Sequence, residues 1–116
     1  TVGNTVINSS SWTTLVEKAI TIQQGSHVYV SFQGEQNAEG GSAWQWQQLW
    51  RDNTQLGTSV ICVAQVGWND SIHLSYWDYN MNAGTYTYKF RAYNGSNYCR
   101  YGEHSSPRID IIEFGG

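Results

Sequence analysis

Apolar and polar side chains alternate along most of this chain with the two-residue period of a β-strand. Between residues 27 and 33, Val28, Val30 and Phe32 alternate with His27, Tyr29 and Ser31. Residues 12–22, 44–51, 58–66, 71–77, 85–93 and 108–114 are similarly rich in β-branched and aromatic side chains. Turn chemistry separates these runs at Gln24-Gly25-Ser26, at Glu39-Gly40-Gly41-Ser42, at Asp52-Asn53 with Gly57, at Trp68-Asn69-Asp70 and at Asn82-Ala83-Gly84. A longer loop is expected over residues 94–107, which hold Gly95, Gly102 and the only proline. No stretch carries the stripe of an amphipathic helix. Short strands at this spacing predict an all-β protein, an antiparallel two-sheet β-sandwich or a barrel-like double sheet. Neither a linker nor a repeat interrupts the pattern, so residues 1–116 are expected to form one domain. Residues 1–8 are expected to be either a first strand or the exit from a preceding stalk.

The densest aromatic run is Trp44-Gln45-Trp46-Gln47-Gln48-Leu49-Trp50, within a chain that has six tryptophans, eight tyrosines and three phenylalanines. In a strand, Trp44, Trp46, Gln48 and Trp50 share one face, while Gln45, Gln47, Leu49 and Arg51 share the other. Such rings bury large areas, and their polar edges tolerate a wet neighbour. The stripe is therefore expected to point into the core or at another subunit, with a sugar platform as the alternative. Tyr86, Tyr88 and Phe90 form a second stripe with the same choice of core or interface.

Composition narrows the partners. Six basic residues against nine acidic ones give a net charge of −3. The basic residues are dispersed, so nucleic acid is not an expected partner, and neither is an anionic membrane surface. No apolar run approaches the ~18 residues of a transmembrane helix, so membrane insertion is not expected. The first residues lack an initiator Met and a signal core, which predicts a processed product or a piece of a longer polypeptide. At this length one domain can bury about two thirds of its unfolded surface without a metal or a disulfide framework. Cys62 and Cys99 can pair, or remain two buried thiols.

Catalytic chemistry is hard to assemble from these residues. His27 and His73 fall on expected strands and His104 in the long loop beside Glu103, with no metal-ligand spacing and no nucleophile elbow. The chain is expected not to be an enzyme, and no cofactor is expected. Calcium is the one candidate ion. Asp78, Asn80 and Asn82 place oxygens at alternate positions before Gly84, although Asp and Asn also favour turns for local reasons. Loop aromatics beside hydrogen-bonding side chains are the candidate ligand site: Trp68, Asn69 and Asp70, then Trp77 and Tyr79, then Tyr98, Arg100, Tyr101, Glu103 and His104. A ring stacks on the C–H face of a sugar while its polar neighbours bond hydroxyls.

The order of motifs also carries a resemblance. Ser10-Ser11-Trp12-Thr13-Thr14-Leu15 is followed by Gly25-Ser26-x-Val28-x-Val30, then Leu49-x-Arg51-Asp52-x-x-x-Leu56-Gly57 and Ile72-x-Leu74-Ser75-Tyr76-x-Asp78. Residues 83–88 and 109–114 complete it. The chain resembles the small jelly-roll head domains at the tips of bacteriophage tail or capsid fibres, which are similar to tumour-necrosis-factor and complement-type heads. That resemblance implies a jelly roll that forms a homotrimer, with Trp44, Trp46 and Trp50 or Tyr86 and Tyr88 lining the three-fold axis. It implies a virion-surface or extracellular adhesion role, with exposed loops meeting a cell-surface glycan or a host receptor. A monomeric carbohydrate-binding module or lectin of a secreted protein is the alternative, and a purely structural subunit of a fibre or virion surface is a third reading. The high tryptophan content and the two cysteines depart from the resemblance.

Overall fold

Alternation of apolar residues is converted into two packed layers by a pair of strands long enough to serve both. A computed structural model describes the backbone at residues 5–7, 11–64, 70–102 and 106–115. Side chains are described there except at 5–7, 38–43, 58–64, 70 and 96–98. The strands are β1 (Thr5–Ile7), β2 (Thr13–Ile22), β3 (Ser26–Arg51), β4 (Thr54–Ala64), β5 (Asp70–Met81), β6 (Gly84–Tyr101) and β7 (Arg108–Phe114). Among the described residues there is no helix, and every strand pairing is antiparallel.

The first half of β3 lies between β5 and β7, with Tyr29 opposite both Trp77 and Ile112. Its second half lies between β4 and β6, with Leu49 opposite both Leu56 and Phe90. β2 extends the second layer by pairing with β6, and β1 pairs with the end of β6. Hydrogen bonding is therefore continuous through β3 and β6, yet the chain forms two antiparallel sheets packed face to face. The all-β sandwich expected from the alternation is what the chain adopts.

The register explains how one strand serves both sheets. Glu39 is opposite Tyr98 but Trp44 is opposite Ser96, so β3 carries extra residues at Gly40-Gly41-Ser42. A bulge of this kind bends a strand and increases its twist. The turn expected at 39–42 is thus an irregularity inside a continuous strand. The loop expected over residues 94–107 is likewise corrected, because β6 runs on to Tyr101. Turn residues there stay in the ladder because β1 and β3 supply hydrogen-bond partners on both sides of Tyr101. The segment at 1–8 contributes Thr5–Ile7 as a strand.

Inward-facing side chains meet between the layers. Val28, Val30 and Phe32 of β3 pack with Leu15, Ile22, Leu49, Leu56, Ile72, Phe90 and Ile109, all buried. The Phe32 and Phe90 rings stack across the gap, 3.6 Å between centroids and 4° from parallel. Tyr88 and Phe90 are fully buried and Tyr86 packs against the same cluster. The 86/88/90 stripe is therefore core, which removes it as a lining for a subunit axis.

At one end of the sandwich the layers are tied by a polar triad. Arg51 Nη1 donates to Asp78 Oδ1 at 2.6 Å, and the Tyr88 hydroxyl donates to Asp78 Oδ2 at 2.6 Å. Burial raises the Tyr88 pKa, and the hydrogen bond to the Asp78 carboxylate raises it further. Burial pulls the Arg51 pKa down, but Asp78 outweighs it and the net direction is up. The two Asp78 oxygens are thus engaged by Arg51 and Tyr88, and Asn82 Oδ1 accepts from Gln24 Nε2. Asp78 is buried and Asn80 exposed, because the register shift opposite Ser26–Val28 and the positive φ of Asn80 (51°) break the alternation of β5 there, so these two expected calcium ligands do not share a face.

Two outcomes test this account of the core. Phe90→Ala is expected to lower the unfolding free energy by about 3–5 kcal/mol in urea titrations, because it removes the inter-layer stack and leaves a cavity. The raised Tyr88 pKa sets the sign of an alkaline effect. Its stabilising contribution is complete below the ordinary tyrosine pKa of 10.0. It falls as the pH climbs above that value, because the unfolded chain releases its proton first. Tyr88→Phe should make the alkaline decline shallower when thermal unfolding is followed from pH 8 to 11.

Candidate functional site

Strand pairing decides which stripe of each strand faces outward, and in the second sheet it removes the sandwich core from the two places expected for the tryptophans. Leu49 lies opposite Phe90, and Gln47 opposite Ala92. Those partners are core residues, so Gln45, Gln47 and Leu49 point inward and Trp44, Trp46 and Trp50 point out. Burying an amide without partners costs several kcal/mol, and here a network with Gln36, Tyr101 and Asn94 engages the glutamine side chains except Gln47 Oε1, which is buried without a partner. Gln47 Nε2 donates to Gln36 Oε1 at 2.8 Å and lies 2.7 Å from the Tyr101 hydroxyl. That hydroxyl donates to Gln45 Oε1 at 2.6 Å, and Gln45 Nε2 reaches Asn94 Oδ1. Cys99 is buried beside them, its Sγ 3.8 Å from Gln36 Oε1. The Cys62 side chain lies outside the described residues.

Among the described residues, the outward tryptophan stripe is covered by the chain itself at its Trp50 end. The Trp12 ring meets Trp50 edge-on at 5.6 Å and Tyr93 at 5.7 Å. The Arg91 guanidinium sits 4.7 Å above Trp50 and donates to the Trp12 carbonyl. Cation–π contact of this kind is worth about 0.5–2 kcal/mol. Trp50 is buried as a result, Trp46 is half-buried, and Trp44 is 36% exposed. Trp44 crosses Trp46 edge-on and lies over Gly95, where an added Cβ would collide with its ring. The stripe is thus neither sandwich core nor open along its whole length.

The first sheet presents a different outer face, assembled from β5, β3 and β7. It forms successive rows. Tyr79 and Phe114 flank His27, with ring centroids of Tyr79 and His27 5.6 Å apart. Trp77 and Ile112 flank Tyr29, then Ser75 and Asp110 flank Ser31, then His73 and Arg108 flank Gln33. Trp77 is the hub of the apolar rows. It lies 4.8 Å from Tyr29, 5.4 Å from Phe114, and stacks on Tyr79 at 5.9 Å. Trp77, Tyr79, Ile112 and Phe114 are all exposed, Tyr79 at 66%. A contiguous exposed apolar patch with a polar rim makes this face the candidate interaction surface.

The polar end of this face is equally organised. Arg108 Nε donates to Asp110 Oδ2 at 2.9 Å and Arg108 Nη2 donates to Gln33 Oε1 at 2.8 Å. Beside them Gln33, His73 and Arg108 border a cleft of about 370 Å³, floored by Gly34 and Ile72. At the far end of the same sheet, Glu113 accepts from the Gln23 amide and the Ser26 hydroxyl, and both bonds hold its pKa below the usual carboxylate range. They fix the turn that precedes β3.

Of the ligand residues expected from sequence, only Trp77, Tyr79, Arg100 and Tyr101 have described side chains, and these four do not come together. Trp77 and Tyr79 join the platform. Tyr101 is fully buried in the glutamine network and is withdrawn as a ligand contact. Arg100 is half-buried on β6, opposite Val6 and Asn37. Tyr101 lies opposite Gln36 and Trp77 opposite Tyr29. At 3.3 Å per residue those rows of β3 are ~23 Å apart. Tyr98 lies on β6 and Asp70 opens β5, their side chains outside the described set, while Trp68, Asn69, Glu103 and His104 lie outside it altogether. Sequence reasoning missed His27, Tyr29, Gln33, His73, Arg108, Asp110, Ile112 and Phe114. One signal was legible: in residues 109–114, Ile109 and Ile111 alternate against Ile112 and Phe114, so both faces of that strand are apolar.

Gly95→Ala is expected to push the Trp44 ring off the sheet and to erase near-ultraviolet circular dichroism arising from the Trp44–Trp46 pair. The Trp77 platform, on the other sheet, should keep its properties in that variant. No protein-family model matches the chain, and no curated protein and no solved structure matches it.

Proposed function

We propose that the chain is a non-enzymatic adhesion head that holds a carbohydrate on the outer face of the β5–β3–β7 sheet. The observation that carries the reading is the platform of exposed Trp77, Tyr79 and Phe114 around half-buried Tyr29, followed on the same sheet face by Asp110, Arg108, Gln33 and His73. Flat rings offer apolar area at low entropic cost, and the adjoining polar groups bond hydroxyls. Placement on strands instead of loops favours such a role, because the rings are held in position before the ligand arrives. A binding role also fits the carboxylates: Asp78, buried between the layers, is engaged by Arg51 and Tyr88, and Asp110 by Arg108.

The wider reading is a head of jelly-roll type, on a virion surface or an extracellular fibre, that meets a cell-surface glycan or a host receptor as a homotrimer. Trp44 and Trp46 favour a subunit contact, because Trp12 covers only the Trp50 end of their stripe. The two faces then divide the labour, with assembly on one sheet and ligand on the other. A monomeric carbohydrate-binding module uses the same platform without the assembly.

Glycan-array screening followed by calorimetry on the hits tests the site. Trp77→Ala should weaken binding at least tenfold, or about 1.4 kcal/mol, with the melting temperature little changed. Trp44→Ala combined with Trp46→Ala should leave glycan affinity intact and shift the species seen in light scattering from trimer to monomer. An array without any hit favours a purely structural subunit, and a monomeric parent protein removes the trimer.

A further inference from the structure

The outer face of the β5–β3–β7 sheet is divided into an apolar half and a polar half, and the spacing and charge of those halves constrain what can lie across both. The inference rests on the carbohydrate reading of that face. Rows two residues apart on a strand are ~6.7 Å apart, so the Trp77–Tyr29 row and the His73–Gln33 row are ~13 Å apart. A single pyranose with its hydroxyls does not bridge that distance. The row between them is formed by Ser75, Ser31 and Asp110. Ser31 is buried and Ser75 exposed, so no bulky side chain of β3 or β5 stands between the aromatic platform and the cleft beside Arg108.

Charge narrows the class further. Arg108 is the cation of the polar row, and Asp110 lies against it at 2.9 Å. Gln33 takes a second guanidinium donor at 2.8 Å. The guanidinium is thereby fixed in direction and its charge offset. The cluster presents donors on Arg108 and acceptors on Asp110 within one bonded unit, the complement of neighbouring hydroxyls. An acidic substituent would face the Asp110 carboxylate and a protein of net charge −3, so it gains little from Arg108.

We infer that the ligand is a neutral saccharide of at least two rings laid along β3, one ring stacked on Trp77 and Tyr29 and a later one hydrogen-bonded by Arg108, Asp110 and Gln33. Arg108 and Asp110 act as the selectivity elements, and Trp77 supplies affinity for any sugar that enters.

The test uses the intact chain and a printed array of matched glycans. The matched sets run from monosaccharides to tetrasaccharides, each neutral form beside its uronate or sialylated counterpart. Neutral glycans of two or more rings should give the signal, at least about tenfold above their monosaccharides. Raising NaCl from ~0.05 to ~0.5 M, which compresses the Debye length several-fold, should change their affinity less than about twofold. Arg108→Gln, at an exposed position, should reduce the longer glycans to the monosaccharide level with an unchanged melting temperature, whereas Trp77→Ala should weaken both. Preference for the acid-bearing members, with steep salt dependence, overturns the neutral assignment and leaves the carbohydrate reading standing. Monosaccharides bound as tightly as tetrasaccharides overturn the two-part site in the same way. Glycan binding indifferent to Trp77→Ala, or no binding at all, removes the carbohydrate reading of this face and this inference with it.

Discussion

Pairing along β3 is the constraint from which the remaining structure follows. That single strand hydrogen-bonds to β4, β5, β6 and β7, and β6 in turn holds β1 and β2. Because side chains alternate strictly along a strand, one register choice fixes the face of every residue it touches. Val28, Val30 and Phe32 set the inward parity of the first sheet, and Leu49 against Phe90 sets it for the second. The irregularity at residues 40–42 lets both parities point at a common core. Stacking of Phe32 on Phe90 is where the two halves of that constraint meet.

A consequence of the second parity is a core with polar members. Gln45, Gln47 and Tyr101 are buried between the layers, bonded to one another and to Gln36. Each such bond contributes only about 0.5–1.5 kcal/mol net, but removing one partner leaves a buried polar group unpaired, which costs more than the bond contributed. The network is directional where aliphatic packing is not, so it discriminates against a register slip. Rings that would ordinarily fill this space are carried on the opposite side, where Trp12 and Arg91 cover Trp50 and leave Trp44 partly open.

Two outer faces of unlike chemistry result. One is a tryptophan stripe closed at one end by its own chain and open at the other. The second is a mosaic in which Trp77, Tyr79 and Phe114 give way through serines to the Arg108–Asp110 pair. Neither is a deep pocket, and both rest on rigid strands. Such surfaces suit ligands or partners recognised by shape and by repeated weak contacts, which is how the adhesion reading uses them. The platform came together from β3, β5 and β7, whose contributing residues are separated by up to 87 positions in sequence (His27 and Phe114 are directly opposite).

Periodicity alone determined that this chain is all-β, located strand segments at 12–22, 27–33, 44–51 and 108–114, and grouped Trp44, Trp46 and Trp50 on one face. It did not extend to the continuity of β3 through Gly40-Gly41-Ser42 or of β6 through Asn94 and Gly95, because turn residues stay in strand when neighbouring strands satisfy their backbone groups. Alternation says which residues share a face but not whether that face meets the core. That was decided by tertiary pairing: Leu49 opposite Phe90 turned the glutamines inward and the tryptophans out, and the flanking of β3 by β5 and β7 gathered Tyr29, Trp77 and Phe114. The physical reason is that burial belongs to pairs of strands and opposed sheets, and a single strand carries only the two-residue period.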